Sequence, residues 1–154
     1  MKIKHIILSL TLILVCIGHG SSEELFYGQW KIEKIISTPG ITPLTQEQAE
    51  SVLGKTLYFS PEVAIFDEIS ICKNPTYKKR ILTESEFFDE SRLYFEHLNI
   101  TEELMLKVII YDNQGQLWDQ APGRSLIVKN NDVLIAGWKG VYYELIRDFT
   151  PNKY

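Results

Sequence analysis

Apolar and polar residues alternate along residues 28–36. Trp30 and Ile32 fall on one face and Lys31 and Glu33 on the other, the two-residue period of a half-buried strand. Ser37-Thr38-Pro39-Gly40 ends that run, because proline and glycine break regular backbone. Short apolar runs at 55–60, 63–67 and 69–72 read as further strands, turning at Ser60-Pro61-Glu62 and Asp67-Glu68. The last of these can extend through Tyr77 only as an edge or a bulge, since Pro75 has no N–H for a ladder. Leu104, Leu106, Val108 and Ile110 alternate with Met105, Lys107 and Ile109, which predicts a long strand over 104–111. Runs at 126–129, 133–138 and 141–147 follow, separated by the hairpin-like connections Asn130-Asn131-Asp132 and Lys139-Gly140. Residues 116–123, around Trp118, Pro122 and Gly123, fit neither period.

Two segments carry helical spacing instead. Thr45 with Gln48 forms a capping box, Ala49, Val52 and Leu53 supply an apolar stripe, and Gly54 stops it, predicting a helix at about 45–53. Thr83 with Glu86 forms a second box. Behind it Phe87, Phe88, Ser91, Tyr94, Phe95 and Leu98 recur at three- and four-residue steps, predicting a helix over 84–98. Glu84, Glu86, Asp89 and Glu90 lie in its first turns, where carboxylates favour the helix dipole and a solvated face. They read as that face rather than as a catalytic pair.

Eight strands with short loops and no βαβ alternation predict an all-β-dominated chain. The expected architecture is an eight-stranded antiparallel meander closed into a barrel, with two peripheral helices. The expected inward set is Trp30, Ile32, Leu57, Phe59, Ile69, Ile71, Leu106, Val108, Leu126, Val133, Ile135, Tyr143 and Leu145. A single domain would span 23–149, with 150–154 as a loose tail.

The N-terminus has a different character. Lys2, Lys4 and His5 precede an apolar run over 6–17 and then small residues, the layout of a secretory signal over 1–22. Val15 stands where a lipoprotein signal wants a small residue before Cys16, so cleavage without lipidation is the expected outcome. Export to a secreted or periplasmic location follows. Residues 1–22 hold two lysines and no acid, so the remainder has 14 basic and 20 acidic residues and a net charge of −6. That balance, with no basic stripe, makes nucleic acid an unsuitable partner. Without Cys16, Cys72 has no partner within the chain and reads as a small buried hydrophobe, or else as half of an intermolecular bridge. With His5 and His19 also in the signal segment, one histidine, His97, and one cysteine cannot build a catalytic triad or a His-rich metal site, so neither enzyme chemistry nor a cofactor is expected. Asn99-Ile100-Thr101 is a glycosylation sequon, relevant only in a eukaryotic secretory route.

Gly28-Gln29-Trp30 after Phe26-Tyr27, together with Arg147 at the end of the last strand, resembles the shared features of the lipocalins and the wider calycin superfamily. The resemblance covers about a dozen residues at the two ends of the chain. It implies a lipocalin-like barrel in which Trp30 and Arg147 pack at the closed end, with Gly28 beside them, in a structural role. It also implies a binding cavity, for which the candidate lining residues are Phe59, Ile71, Val108, Ile135 and Tyr143. The middle of the chain departs from lipocalins: their second motif, around Thr-Asp-Tyr, is absent, and a helix stands between the fourth and fifth strands. The helix at 45–53 is similar in position to the lid of the fatty-acid-binding relatives. Two functions are expected from this reading. One is non-catalytic binding of a small hydrophobic or amphipathic ligand. The other is binding and inhibition of a basic protein, such as a lysozyme-type enzyme or a toxin, through loops such as 112–124.

Overall fold

The computed structural model describes residues 24–38, 40 and 42–151. The expected signal segment, including Cys16, and the tail beyond 151 lie outside the described residues. The strands are β1 (Gly28–Ser37), β2 (Thr56–Phe59), β3 (Val63–Phe66), β4 (Ser70–Lys73), β5 (Thr76–Thr83), β6 (Leu104–Tyr111), β7 (Ser125–Val128), β8 (Val133–Trp138) and β9 (Val141–Arg147). Helix α1 (Gln46–Glu50) lies between β1 and β2, and α2 (Glu84–Ser91) with a 3-10 turn (Phe95–Leu98) lies between β5 and β6. The strands form one sheet in the order β4-β3-β2-β1-β9-β8-β7-β6-β5, curled into a half-barrel.

The expected eight-stranded closed barrel is thus corrected in two ways: there are nine strands, and the barrel is not closed. The ninth is β5, whose Thr76–Thr83 run pairs with β6 along its whole length. Its Lys78-Lys79-Arg80 centre hides it from a search for apolar alternation, and it suits an edge, where charge discourages pairing with another chain. The missing closure follows from strand direction. Every pairing from β4 round to β5 is antiparallel. With nine strands, β4 and β5 must therefore run the same way. Parallel neighbours need a crossover of a dozen or more residues, whereas only Asn74 and Pro75 separate this pair. So β5 carries on from β4 past a kink, with Asn74 at φ 49° donating its N–H to Glu62 O at 2.7 Å. Side chains span the opening instead: Trp118 Nε1 donates to Ser70 Oγ at 3.0 Å and Tyr77 Oη to Ser60 O at 2.7 Å.

The sheet is covered on both sides. Its concave face holds the main core, which includes Trp30, Ile32, Leu57, Phe59, Val108, Leu126, Leu134, Tyr143 and Leu145. Its outer face carries a second cluster of Leu82, Phe87, Leu93, Phe95, Leu98, Met105, Ile127 and Ile135 under α2 and the 3-10 turn. Glu90 ties that layer down through ion pairs to Arg80 and Lys107, each at 2.6 Å. The continuous 84–98 helix of the sequence reading is broken. Arg92 caps α2 in the left-handed region at φ 60°. Six residues advance a helix by about 240°, so an unbroken helix would carry Leu93 off the Phe87 face; the break turns it into the cluster. The first helix is likewise shorter than 45–53, although both threonine capping boxes form.

Two strands face the other way from expectation. Ile69 and Ile71 are 61% and 58% exposed, while Ser70 and Cys72 turn inward. On β8, Leu134 and Ala136 enter the main core and Ile135 the outer cluster, with Val133 on Ile135's side. A strand buried on both faces loses its alternation, so its parity cannot be read from apolarity.

Phe87 is the hub of the outer cluster, with its ring 5.7 Å from Phe95 and 6.3 Å from Tyr142. Phe87→Ala should lower the unfolding free energy by about 3 kcal/mol, read as a shifted urea midpoint. A change below a few tenths would mean that α2 is not part of the cooperative unit.

Candidate functional site

The two chain ends meet at one end of the half-barrel. Trp30 pairs directly with Arg147 across β1 and β9, and the guanidinium carbon lies 4.2 Å from the indole centroid. Arg147 also donates to Leu25 O at 2.7 Å, Tyr27 O at 2.9 Å and Asn131 O at 2.7 Å. Trp30 Nε1 donates to Phe26 O at 2.9 Å. Gly28 adopts φ 108°, and a Cβ there would stand 3.0 Å from Arg147 Nη1. The rings of Phe26, Tyr27 and Tyr77 gather beside this seal, with centroids 4.8 to 5.5 Å apart. Every donor here serves the closure, so the geometry is structural.

The candidate lining residues divide. Phe59, Val108 and Tyr143 meet in the main core, whereas Ile71 lies exposed on the outer face of β4 and Ile135 lies under α2. The three that meet do not enclose a void. Residues 116–123, unassigned from sequence, supply the filling: Trp118 and Ala121 belong to the core, and a Cβ on Gly123 would come within 3.0 Å of both Leu57 and Phe59. Within the 112–124 loop, Trp118 and residues 121–123 are therefore a plug, whereas residues 113–117, 119 and 120 remain exposed.

Space opens at the opposite end, beside α1. There Tyr143 Oη donates to Ala49 O at 3.2 Å, tethering the helix over the core. A cleft of about 430 Å³ lies between α1 and the ends of β1 and β9. Ile35, Leu44, Ala49 and Val141 supply apolar surface, and Thr38, Thr42, Thr45, Gln46 and Glu50 supply polar groups. The sequence reading missed Leu44. It stands just before the Thr45 cap, at N′, with Ala49 at N4, the spacing of a hydrophobic staple.

The titratable groups are committed to structure. Glu86 is held below the usual carboxylate range by the Thr83 backbone and hydroxyl, as befits a cap. The hydrogen bond from Lys107 does the same for Glu90. His97 Nδ1 accepts from Tyr94 N at 3.0 Å on the exposed 3-10 turn. Burial pushes the Cys72 thiol up, away from the reactive thiolate. Among the described residues no group of three or more His, Cys, Asp or Glu could hold a metal ion, and no helix is long and apolar enough to cross a membrane. Comparison with family models, curated proteins and solved structures finds no match to the chain.

Arg147→Ala removes a cation–π contact and three charge-assisted hydrogen bonds, and should cost about 2–4 kcal/mol in chemical denaturation. Arg147→Lys should recover less than half of that, because an ammonium cannot reproduce the planar fork. A neutral Arg147→Ala would show that the seal contributes nothing. Gly28→Ala should also destabilise, by about 1 kcal/mol or more, from its positive φ alone.

Burial raises Tyr143 to about 12 and also raises Tyr27, Tyr77 and Tyr142. Unfolded phenols ionise near pH 10. Below that pH both states are protonated and nothing is lost. Above it the unfolded state sheds protons first, so stability should fall from about pH 10 towards pH 12. Urea midpoints measured across this window should decline, and less steeply in Tyr143→Phe.

Proposed function

We propose that the chain is an exported, non-catalytic, lipocalin-like binding protein, and that its ligand is a small hydrophobic or amphipathic molecule. The carrying observation is the cleft beside α1. Its volume of about 430 Å³ falls within the 300–1,000 Å³ typical of ligand sites. Its surface joins an apolar patch to a threonine-rich polar one, which suits a molecule with an apolar body and one polar end. The ligand sits at this mouth and not in the barrel centre, since Leu57, Phe59, Val108 and Tyr143 are fully buried against the 118–123 plug. The lipocalin-like reading draws support from the Trp30–Arg147 contact joining the first and last strands.

A second reading is a protein partner, such as a basic lysozyme-type enzyme or a toxin. It is favoured by the filled interior and by the exposed Ile71 on the edge strand β4, with exposed Ile69 in the turn just before it. An apolar edge is a template for strand addition.

Titration with a fluorescent fatty acid should give saturable binding at one site per chain. Leu44→Glu, which puts a charge into the cleft, should weaken it at least tenfold with the fold retained by circular dichroism. Absence of saturable binding, or equal affinity in Leu44→Glu, would remove the cleft as the site. Native mass spectrometry of protein purified from its own source then separates the readings: a co-purifying small molecule supports the first, and an empty chain leaves the second ahead.

A further inference from the structure

The outer face of the sheet carries another hollow, built by one row of cross-strand neighbours. Ile109 of β6 stands opposite Ser125 of β7, Ser125 opposite Gly137 of β8, and Gly137 opposite Tyr142 of β9. Directly opposed residues share a face, so two small residues lie between two large ones and the surface dips between them. A Cβ at Gly137 would come 3.2 Å from Tyr142 Cε1, so the missing side chain keeps the floor low. Lys107, Arg124 and the β8–β9 turn, together with the end of α2, complete a cleft of about 240 Å³. Taking about 30 Å³ per liquid water, it has room for a body on the order of eight to ten non-hydrogen atoms.

Its charge runs against that of the chain. The protein carries a formal net charge of −4, yet the cleft gathers Lys107, Arg124 and Lys139 against the single carboxylate of Glu90. Glu90 is already engaged at 2.6 Å by both Arg80 and Lys107. Among the described residues Arg124 and Lys139 have no carboxylate within ion-pair distance. The Lys139 ammonium rests 5.0 Å from the centroid of the Trp138 ring, whose own Nε1 is held by Asp119 O at 3.1 Å. An aromatic wall fixed by a hydrogen bond, a half-buried guanidinium without an anion and a serine hydroxyl at the floor therefore converge on one hollow. Guanidinium matches a carboxylate through two parallel N–H donors, and a flat apolar body fits between aromatic side chains.

We propose that this hollow is a binding site for a compact organic carboxylate with a flat apolar body, with Arg124 as its anion partner and Trp138 and Tyr142 as its apolar walls. Its lining shares no residue with the cleft beside α1, so the two sites stand or fall separately.

Benzoate is the probe, followed by amide and indole NMR shifts of the full protein. Saturable shifts at Ser125, Gly137 and the Trp138 indole N–H are expected. Benzamide, of the same shape without the charge, should bind at least tenfold more weakly. Arg124→Gln should weaken benzoate at least tenfold, and Ser125→Val should weaken it by raising the floor without altering charge. Both substitutions sit at the surface of folded strands and loops, and unchanged shifts elsewhere would verify that each variant is folded. No saturable shift with benzoate, equal binding of benzamide, or unchanged affinity in Arg124→Gln would overturn the proposal.

Discussion

The pairing of the first strand with the last is the constraint on which the rest depends. β1 lies inside the sheet, beside the central strand β9, because β9 returns to its free edge, and a meander leads away from each strand of that pair. Arg147 converts that pairing into a seal by covering the Trp30 indole and binding three carbonyls from two other segments. Those bonds tie the chain entry at Leu25 and Tyr27 and the β7–β8 turn at Asn131 to the end of β9, the Tyr27 one in a partly buried position. Gly28 is required beside them because the guanidinium occupies the space a side chain would take.

Strand direction then decides the overall shape. An odd number of antiparallel strands leaves two neighbours running the same way, and a two-residue link cannot bring such strands side by side. The sheet therefore curls without closing, and side chains such as Trp118 and Tyr77 bridge where a ladder cannot. The same opening lets the 118–123 loop fold inwards. Filling the interior this way leaves the clefts beside α1 and on the convex face at the periphery of the fold.

Coverage on both faces has a further consequence. α2 and the 3-10 turn protect only part of the outer surface, from Leu82 and Met105 to Ile127 and Ile135. Beyond their edge Ser125 and the bare backbone of Gly137 form a low floor, bordered by Lys107, Arg124 and Lys139. The helix that stabilises the fold thus also provides one wall of a surface hollow.

Local residue chemistry determined much of this protein. Both capping boxes, the β1 alternation and the β8–β9 turn were legible because each depends on residues close in sequence, whereas the Trp30–Arg147 relation came only as an implication of the lipocalin resemblance. The strand count, the parity of β4 and β8, and the break at Arg92 were not. β5 carries charges where an interior strand would carry apolar residues. Ser70 and Cys72 turn inward in part because Ser70 meets the Trp118 indole, 48 positions away. Leu134 and Ile135 are both apolar because each faces a different core. The clefts were the least legible, since a hollow is defined by what neighbouring strands lack: Gly137 and Ser125 become a floor only when register sets them between Ile109 and Tyr142. Alternation and capping act over a few residues and can be read along the chain, whereas register, parity and empty space are relations between strands, and only tertiary packing decided them.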